Sequence, residues 1–144
     1  RTRSLACAAR SSSSIHSGLR YFATSVVCPA MQQIGEGTKV FDAASVRGRF
    51  RAIESPDDVL ALMDSGAEGV VALVRDAGAT FLAPIYHELT AVICTGGTPR
   101  SHIGIVSREF QVPCVMACTF SAAEPANGAD VEVDCSGETG VVRG

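Results

Sequence analysis

Tryptophan is missing from the 144 residues, and the aromatic content is six Phe and two Tyr. A core here has to be aliphatic, and with 47% hydrophobic residues there is enough Val, Ile, Leu and Ala to fill one. Basic residues are short too. The formal charge of -3 argues against a nucleic-acid binder, which carries a basic stripe or face. No apolar run approaches the ~18–20 residues of a membrane-spanning helix, so no membrane partner is expected and the chain reads as soluble and cytoplasmic. Paired metal-ligand spacings are also lacking. The cysteines at 7, 28, 94, 114, 118 and 135 are irregularly placed and too sparse for a disulfide scaffold. Cys114-x3-Cys118 with His102 makes only a thin case for zinc, and no metal is assigned. Reduced thiols inside apolar runs, acting as small hydrophobes, fit these positions better.

Acidic residues are absent from the first 35 positions, which hold four Arg and the run Ser11–Ser14. The remainder holds eight basic residues against all fifteen acids. An Arg- and Ser-rich, acid-poor opening has the composition of an organellar transit peptide, which would make import into an organelle an option; a start at Met31 is the plainer alternative. Residues 1–34 are therefore expected to be a disordered or targeting-like segment, and 35–144 a single domain of ordinary size.

Within 35–144, Val46–Ile53 alternates loosely, as a half-buried strand does. Ser55-Pro56-Asp57-Asp58 opens a helix with an N-cap, a proline in the first turn and early acids; Ser65-Gly66 ends it. Gly69–Val74 and Ala91–Cys94 are short continuous apolar runs, the pattern of strands covered on both faces. Phe81–Leu89 reads as a short helix or turn region between them. Ser101–Phe110 predicts a helix stopped by Pro113, followed by a strand over Cys114–Ala117. Val131–Val133 and Val141-Val142 predict a closing hairpin. Strands alternating with short helices give an α/β domain.

The segment Cys94–His102 combines three features in a small space. A buried strand ends at Thr95-Gly96-Gly97, glycines let the backbone approach a ligand, and a helix then begins. Ser101 is placed as N-cap, which sets His102 in the first turn. The positive end of a helix disfavours imidazolium and welcomes the negative charge of a phosphoryl group. A histidine there suits nucleophilic capture and release of phosphate. Thr95 stands close enough to offer a hydroxyl, and either Arg100 or Arg108 offers a fork of donors. His87 and His16 lack such surroundings, and Ser101-His102 is a poor nucleophile–base pair because adjacent helical residues do not face each other.

Thr95-Gly96-Gly97, Ser101-His102-Ile103-Gly104-Ile105-Val106-Ser107-Arg108-Glu109 and Val112-Pro113-Cys114-Val115, followed by the closing segment Asp130–Val142, together resemble the phosphohistidine (mobile, swivelling) domain of the PEP-utilising enzyme family. That family includes pyruvate phosphate dikinase, PEP synthase and enzyme I of the sugar phosphotransferase system, with stand-alone relatives. The resemblance runs from about Gly35 to the C-terminus and is strongest over 92–142. It implies a swivelling β/β/α domain in which His102 is phosphorylated; Thr95, Gly96, Gly97, Ser101 and Arg108 are the residues expected from the local reading to support the phosphate, with a solvated helix residue the equal alternative for Arg108. It further implies a transferase role, carrying phosphoryl between a nucleotide-binding, ATP-grasp-like unit and a PEP- or pyruvate-binding unit. Those units, with their Mg2+ and ATP or PEP, would be partner domains, since 144 residues leave no room for them. A non-catalytic docking or regulatory module of the same fold is the alternative.

The sequence departs from the family pattern in five places. Three residues, Thr98-Pro99-Arg100, separate the glycines from Ser101 where two are usual. Arg100 replaces the Thr that precedes Ser-His, Gly104 and Ser107 stand where Ala is common, and Cys135 follows Asp134 in place of Gly. The extra residue bears directly on the shape of the phosphate cradle.

Overall fold

The five residues Val70–Val74 are buried along their whole length because two separate cores grip them. In the computed structural model, which describes residues 30–144, Val71 and Leu73 face one apolar cluster while Val70, Ala72 and Val74 face another. Side chains of a strand alternate between its two sides, so unbroken apolar character requires cover on both. Of the N-terminal segment 1–34 expected to be disordered or targeting-like, residues 1–29 lie outside the described residues, whereas Gln33 and Ile34 belong to a strand.

Seven strands form one closed barrel in the order β1-β5-β4-β3-β2-β6-β7. They are β1 (Gln33–Lys39), β2 (Ala43–Ala52), β3 (Val70–Val74), β4 (Ala91–Cys94), β5 (Cys114–Phe120), β6 (Asp130–Cys135) and β7 (Gly140–Arg143). Neighbours from β2 through β5 run parallel, and every other pair is antiparallel, including β7 on β1, which closes the wall. Parallel neighbours need crossovers. These are supplied by α1 (Pro56–Ser65), a 3-10 segment (Ala83–Glu88) and α2 (His102–Phe110).

Phe50, Val71, Leu73, Ile93, Val115, Val131, Val133 and Val142 fill the barrel interior. The second cluster lies between the outer side of the parallel strands and the crossovers, with Val59, Leu62, Leu82, Ile85, Tyr86 and Ile103 from the helical layer. The α/β reading and the individual strands and helices expected from the sequence are present. Closure of the sheet and the strand β1 are not legible in the pattern. That strand begins at Gln33, two residues ahead of the domain start expected at 35.

Candidate functional site

The parallel strands β3 and β4 run side by side, so the segments leaving their C-terminal ends, Arg75–Gly78 and Thr95–Gly97, meet on one rim. Parallel α/β sheets, open or closed into barrels, hold ligands outside the carboxyl ends of their strands. Gly97 adopts φ +73, and a Cβ there would lie 2.1 Å from the Ala77 Cβ. Only glycine permits both the left-handed backbone and that approach. The Ala77 carbonyl in turn accepts the Ile103 N–H at 3.1 Å, tying the start of α2 to the same rim.

His102 is the first residue of α2, as the sequence predicts, and its side chain is exposed. It forms no hydrogen bond or ion pair with any other described residue. The backbone amides of His102 and Gly104 likewise have no hydrogen-bond partner among the described residues, so the helix start keeps donors available beside the imidazole. Ser101 is the N-cap by position, with extended backbone, yet its hydroxyl does not cap the helix. Instead Ser101 Oγ accepts the Thr98 N–H at 3.0 Å, and the Ser101 N–H donates to the Thr98 carbonyl at 2.8 Å. The three-residue linker folds into a turn that draws the hydroxyl backward.

The other expected residues are distributed around this turn. Thr95 is half-buried at the end of β4, its N–H bonded to the Val74 carbonyl at 3.1 Å. Gly96 approaches the Arg75 carbonyl closely, 3.1 Å from where a Cβ would stand. Arg108 points its guanidinium at two backbone carbonyls: Nη1 donates to Pro99 O at 2.9 Å and Nη2 to Val40 O at 3.2 Å. His87 is exposed on the 3-10 segment, with Glu88 its nearest charged neighbour at 3.6 Å.

Sequence reasoning missed the polar contact beneath α2. Ser107 is fully buried, and its hydroxyl meets the Tyr86 phenol. A serine at a position whose spacing faces the core was the available signal. The thiols nearby behave as the apolar runs suggest. Burial raises Cys94, and burial pushes Cys114 up to about 12, so both stay protonated and inert at neutral pH. Cys114 packs in the outer cluster and Cys118 in the barrel interior, on opposite sides of β5. The two sulfurs therefore do not converge with His102, and the thin zinc case has no geometric support.

Residues 66–138 match the family model described as PEP-utilising enzyme, mobile domain. The matched span includes the whole rim, with Thr95, Gly96, Gly97, Ser101, His102 and Arg108 inside it. Among curated relatives, uncharacterized proteins of Mycobacterium tuberculosis and Mycobacterium bovis are 38% identical over 101 residues, which is 68% of this chain and 11% of each relative. The chain thus spans a small part of the length of the curated relatives it matches. Among solved structures, the microcin C7 self immunity protein MccF aligns at TM-score 0.43 and 12% identity in its wild-type apo state, over 77% of this chain and 40% of that one. The same protein in complex with aspartyl sulfamoyl adenosine aligns at TM-score 0.43 and 12% identity over 78% and 41%. Likeness at that level bears on neither fold nor function. The family model, matching just over half of the chain and all of its rim, settles the classification: this chain belongs to the PEP-utilising enzyme mobile-domain family.

Proposed function

We propose that the chain is a phosphoryl carrier, loaded on His102 at one partner site and unloaded at another. The observation that carries this reading is the exposed imidazole at the first position of α2, inside the family-matched segment, beside amides that no described residue occupies. The unprotonated ring nitrogen attacks the phosphorus of PEP or ATP. The N–P bond forms as the P–O bond to the leaving oxygen breaks, and that oxygen takes the electron pair. The other ring nitrogen keeps its hydrogen. At the second site an acceptor oxygen attacks the same phosphorus and the N–P bond breaks, returning the pair to the imidazole. The positive helix end stabilises the phosphoryl charge between the two events.

Thr95, Gly96, Gly97 and Ser101 shape the approach to the ring in this reading, and the domain swings between its partners as a unit. Those partners are a nucleotide-binding, ATP-grasp-like unit and a PEP- or pyruvate-binding unit, on the same polypeptide or on separate ones. Mg2+ and the donor are held there.

The test supplies radiolabelled PEP, or ATP labelled at the β-phosphate, together with a PEP-utilising enzyme whose own mobile domain has been removed. Acid-labile, base-stable label on the wild-type chain and none on His102→Ala is the expected result. Equal labelling of the two proteins rules the carrier role out and leaves the non-catalytic docking module.

A further inference from the structure

Resting on the carrier reading above, we infer that Arg108 is a positioning residue, holding the Thr98–Arg100 turn through the Pro99 carbonyl, and that Arg100 is the guanidinium that meets the phosphoryl group on His102. Two departures from the family pattern, the extra residue before Ser101 and the glycine at 104, meet at one atom. A Cβ on Gly104 would stand 2.4 Å from Pro99 O, 2.7 Å from its carbonyl carbon and 2.9 Å from its Cα. The longer turn therefore lies directly on the first turn of α2, and it fits only because residue 104 has no side chain.

Arg108, one turn further along the same helix, then takes Pro99 O at 2.9 Å while its second terminal nitrogen holds Val40 O at 3.2 Å. Val40 is itself fixed, its N–H bonded to the Cys114 carbonyl at 3.0 Å. The guanidinium thus ties the turn to the barrel wall. Within the turn, Ser101 Oγ accepts the Thr98 N–H and Thr98 Oγ1 accepts the Arg100 N–H at 3.4 Å. Swinging Arg108 toward a phosphate on His102 would break both carbonyl contacts and free the turn. Arg100 faces no such conflict. It is exposed, two residues before His102, and its side chain has no partner among the described residues. An exposed cation there attracts an anionic donor by a long-range, salt-screened force, whereas the Arg108 contacts are short-range and geometric.

That contrast gives a test on the chain alone, with phosphoramidate as donor. The His102 ring nitrogen attacks its phosphorus, the donor's P–N bond breaks, and ammonia leaves with the electron pair. The rate of phosphorylation at His102 is read by site-resolved mass spectrometry at about 0.05 M and about 0.5 M salt. Arg100→Gln is expected to slow the reaction about threefold at low salt and to remove most of its salt dependence. Arg108→Gln and Gly104→Ala are each expected to slow it about as much while leaving the salt dependence intact. The double variant should be no slower than the worse single, since both changes act through Pro99 O. The amide resonances of Thr98 and Ser101 should shift in Arg108→Gln with those of β6 and β7 unmoved.

Wild-type rates in either arginine variant, loss of salt dependence in Arg108→Gln, or multiplying effects in the double overturn the inference while leaving the carrier reading intact. A wild-type chain whose His102 takes no phosphate from either phosphoramidate or the partner enzyme sinks both.

Discussion

The phenol oxygen of Tyr86 lies 2.6 Å from the hydroxyl oxygen of Ser107, and both groups reach the Ile103 carbonyl, at 3.3 and 2.8 Å. Three oxygens share two protons in a setting that is otherwise apolar; Ser107 is the single fully buried polar residue among the described ones. Burial also raises the Tyr86 phenol above its ordinary range, so it stays a donor. The contact pins the inner face of α2 to the 3-10 segment. Ser107→Ala leaves the phenol with only its long contact, and should cost about 1–2 kcal/mol. Tyr86→Phe leaves Ser107 its bond to Ile103 O, and should cost about 0.5–1.5 kcal/mol. Because the two share one interaction, the double variant should lose less than the sum. Urea unfolding midpoints of the four proteins decide it, and strict additivity would show that the contact contributes nothing.

Gly97 and Gly128 both hold positive φ, +73 and +91, but their surroundings differ. At Gly128 an added Cβ meets nothing within 4 Å, whereas at Gly97 it meets Ala77 Cβ at 2.1 Å and Ser101 Oγ at 2.9 Å. Gly128→Ala should cost only the backbone strain, about 1–2 kcal/mol. Gly97→Ala adds a displaced rim to that strain, for about 1–3 kcal/mol or more in all, and should depress phosphorylation of His102 as well. Equal losses of stability at the two sites, with labelling unchanged in Gly97→Ala, would mean that the rim relaxes freely.

The sequence pattern locates the rim well and its internal wiring poorly. Unbroken apolar runs such as Val70–Val74 and Ala91–Cys94 are readable because cover on both faces leaves no polar positions. His102 at a helix start is readable because Ser101 and the glycines punctuate the chain. Strand β1 is not, since Gln33–Lys39 includes two glycines that serve tertiary contacts: a Cβ at Gly37 would lie 2.5 Å from the Met116 carbonyl. Barrel closure is set by the pairing of β1 with both β5 and β7, a long-range matter that local periodicity does not encode. Arg108 is legible as a fork of donors on the helix that His102 opens. Its carbonyl partners, Pro99 O and Val40 O, are backbone atoms with no signature in residue identity.

Four cysteines, at 94, 114, 118 and 135, are buried and unpaired. Burial raises the first, pushes Cys114 up to about 12, and pushes Cys118 and Cys135 up to about 11. Alkylation requires thiolate and access, and neither is offered. At pH 8 iodoacetamide should modify these four sites at least tenfold more slowly in the native chain than in urea, as read by peptide mass spectrometry. The sign for stability follows. A thiol raised from 9.0 favours the folded state fully below about pH 9, and that advantage fades as the pH climbs toward 11–12. Rapid modification of any one of the four in the native state contradicts the packing described for the strand that bears it.

The acid limb of stability is set on the opposite side of the barrel, between β6 and β7. Asp134 is held down to about 2 from 3.8, chiefly because its Oδ1 accepts the Ser136 hydroxyl at 2.6 Å and the Ser136 N–H at 3.0 Å, and then because Arg143 donates to its Oδ2 at 3.0 Å. Arg143 also reaches Glu132 at 2.9 Å, and Glu132 holds Arg47 of β2 at 2.6 Å, so three strands share the charge network. A carboxylate lowered in the folded state contributes fully above its unfolded value, near 3.8. That contribution drains away as the pH drops through about 2. Ser136→Ala removes the largest cause and should move the acid-unfolding midpoint, followed by far-UV circular dichroism, to higher pH. Asp134→Asn should lower stability at pH 7 yet flatten its loss between pH 4 and 2, because the titrating group is gone. An unchanged acid limb in both variants would assign the loss to Glu132 and the remaining carboxylates instead.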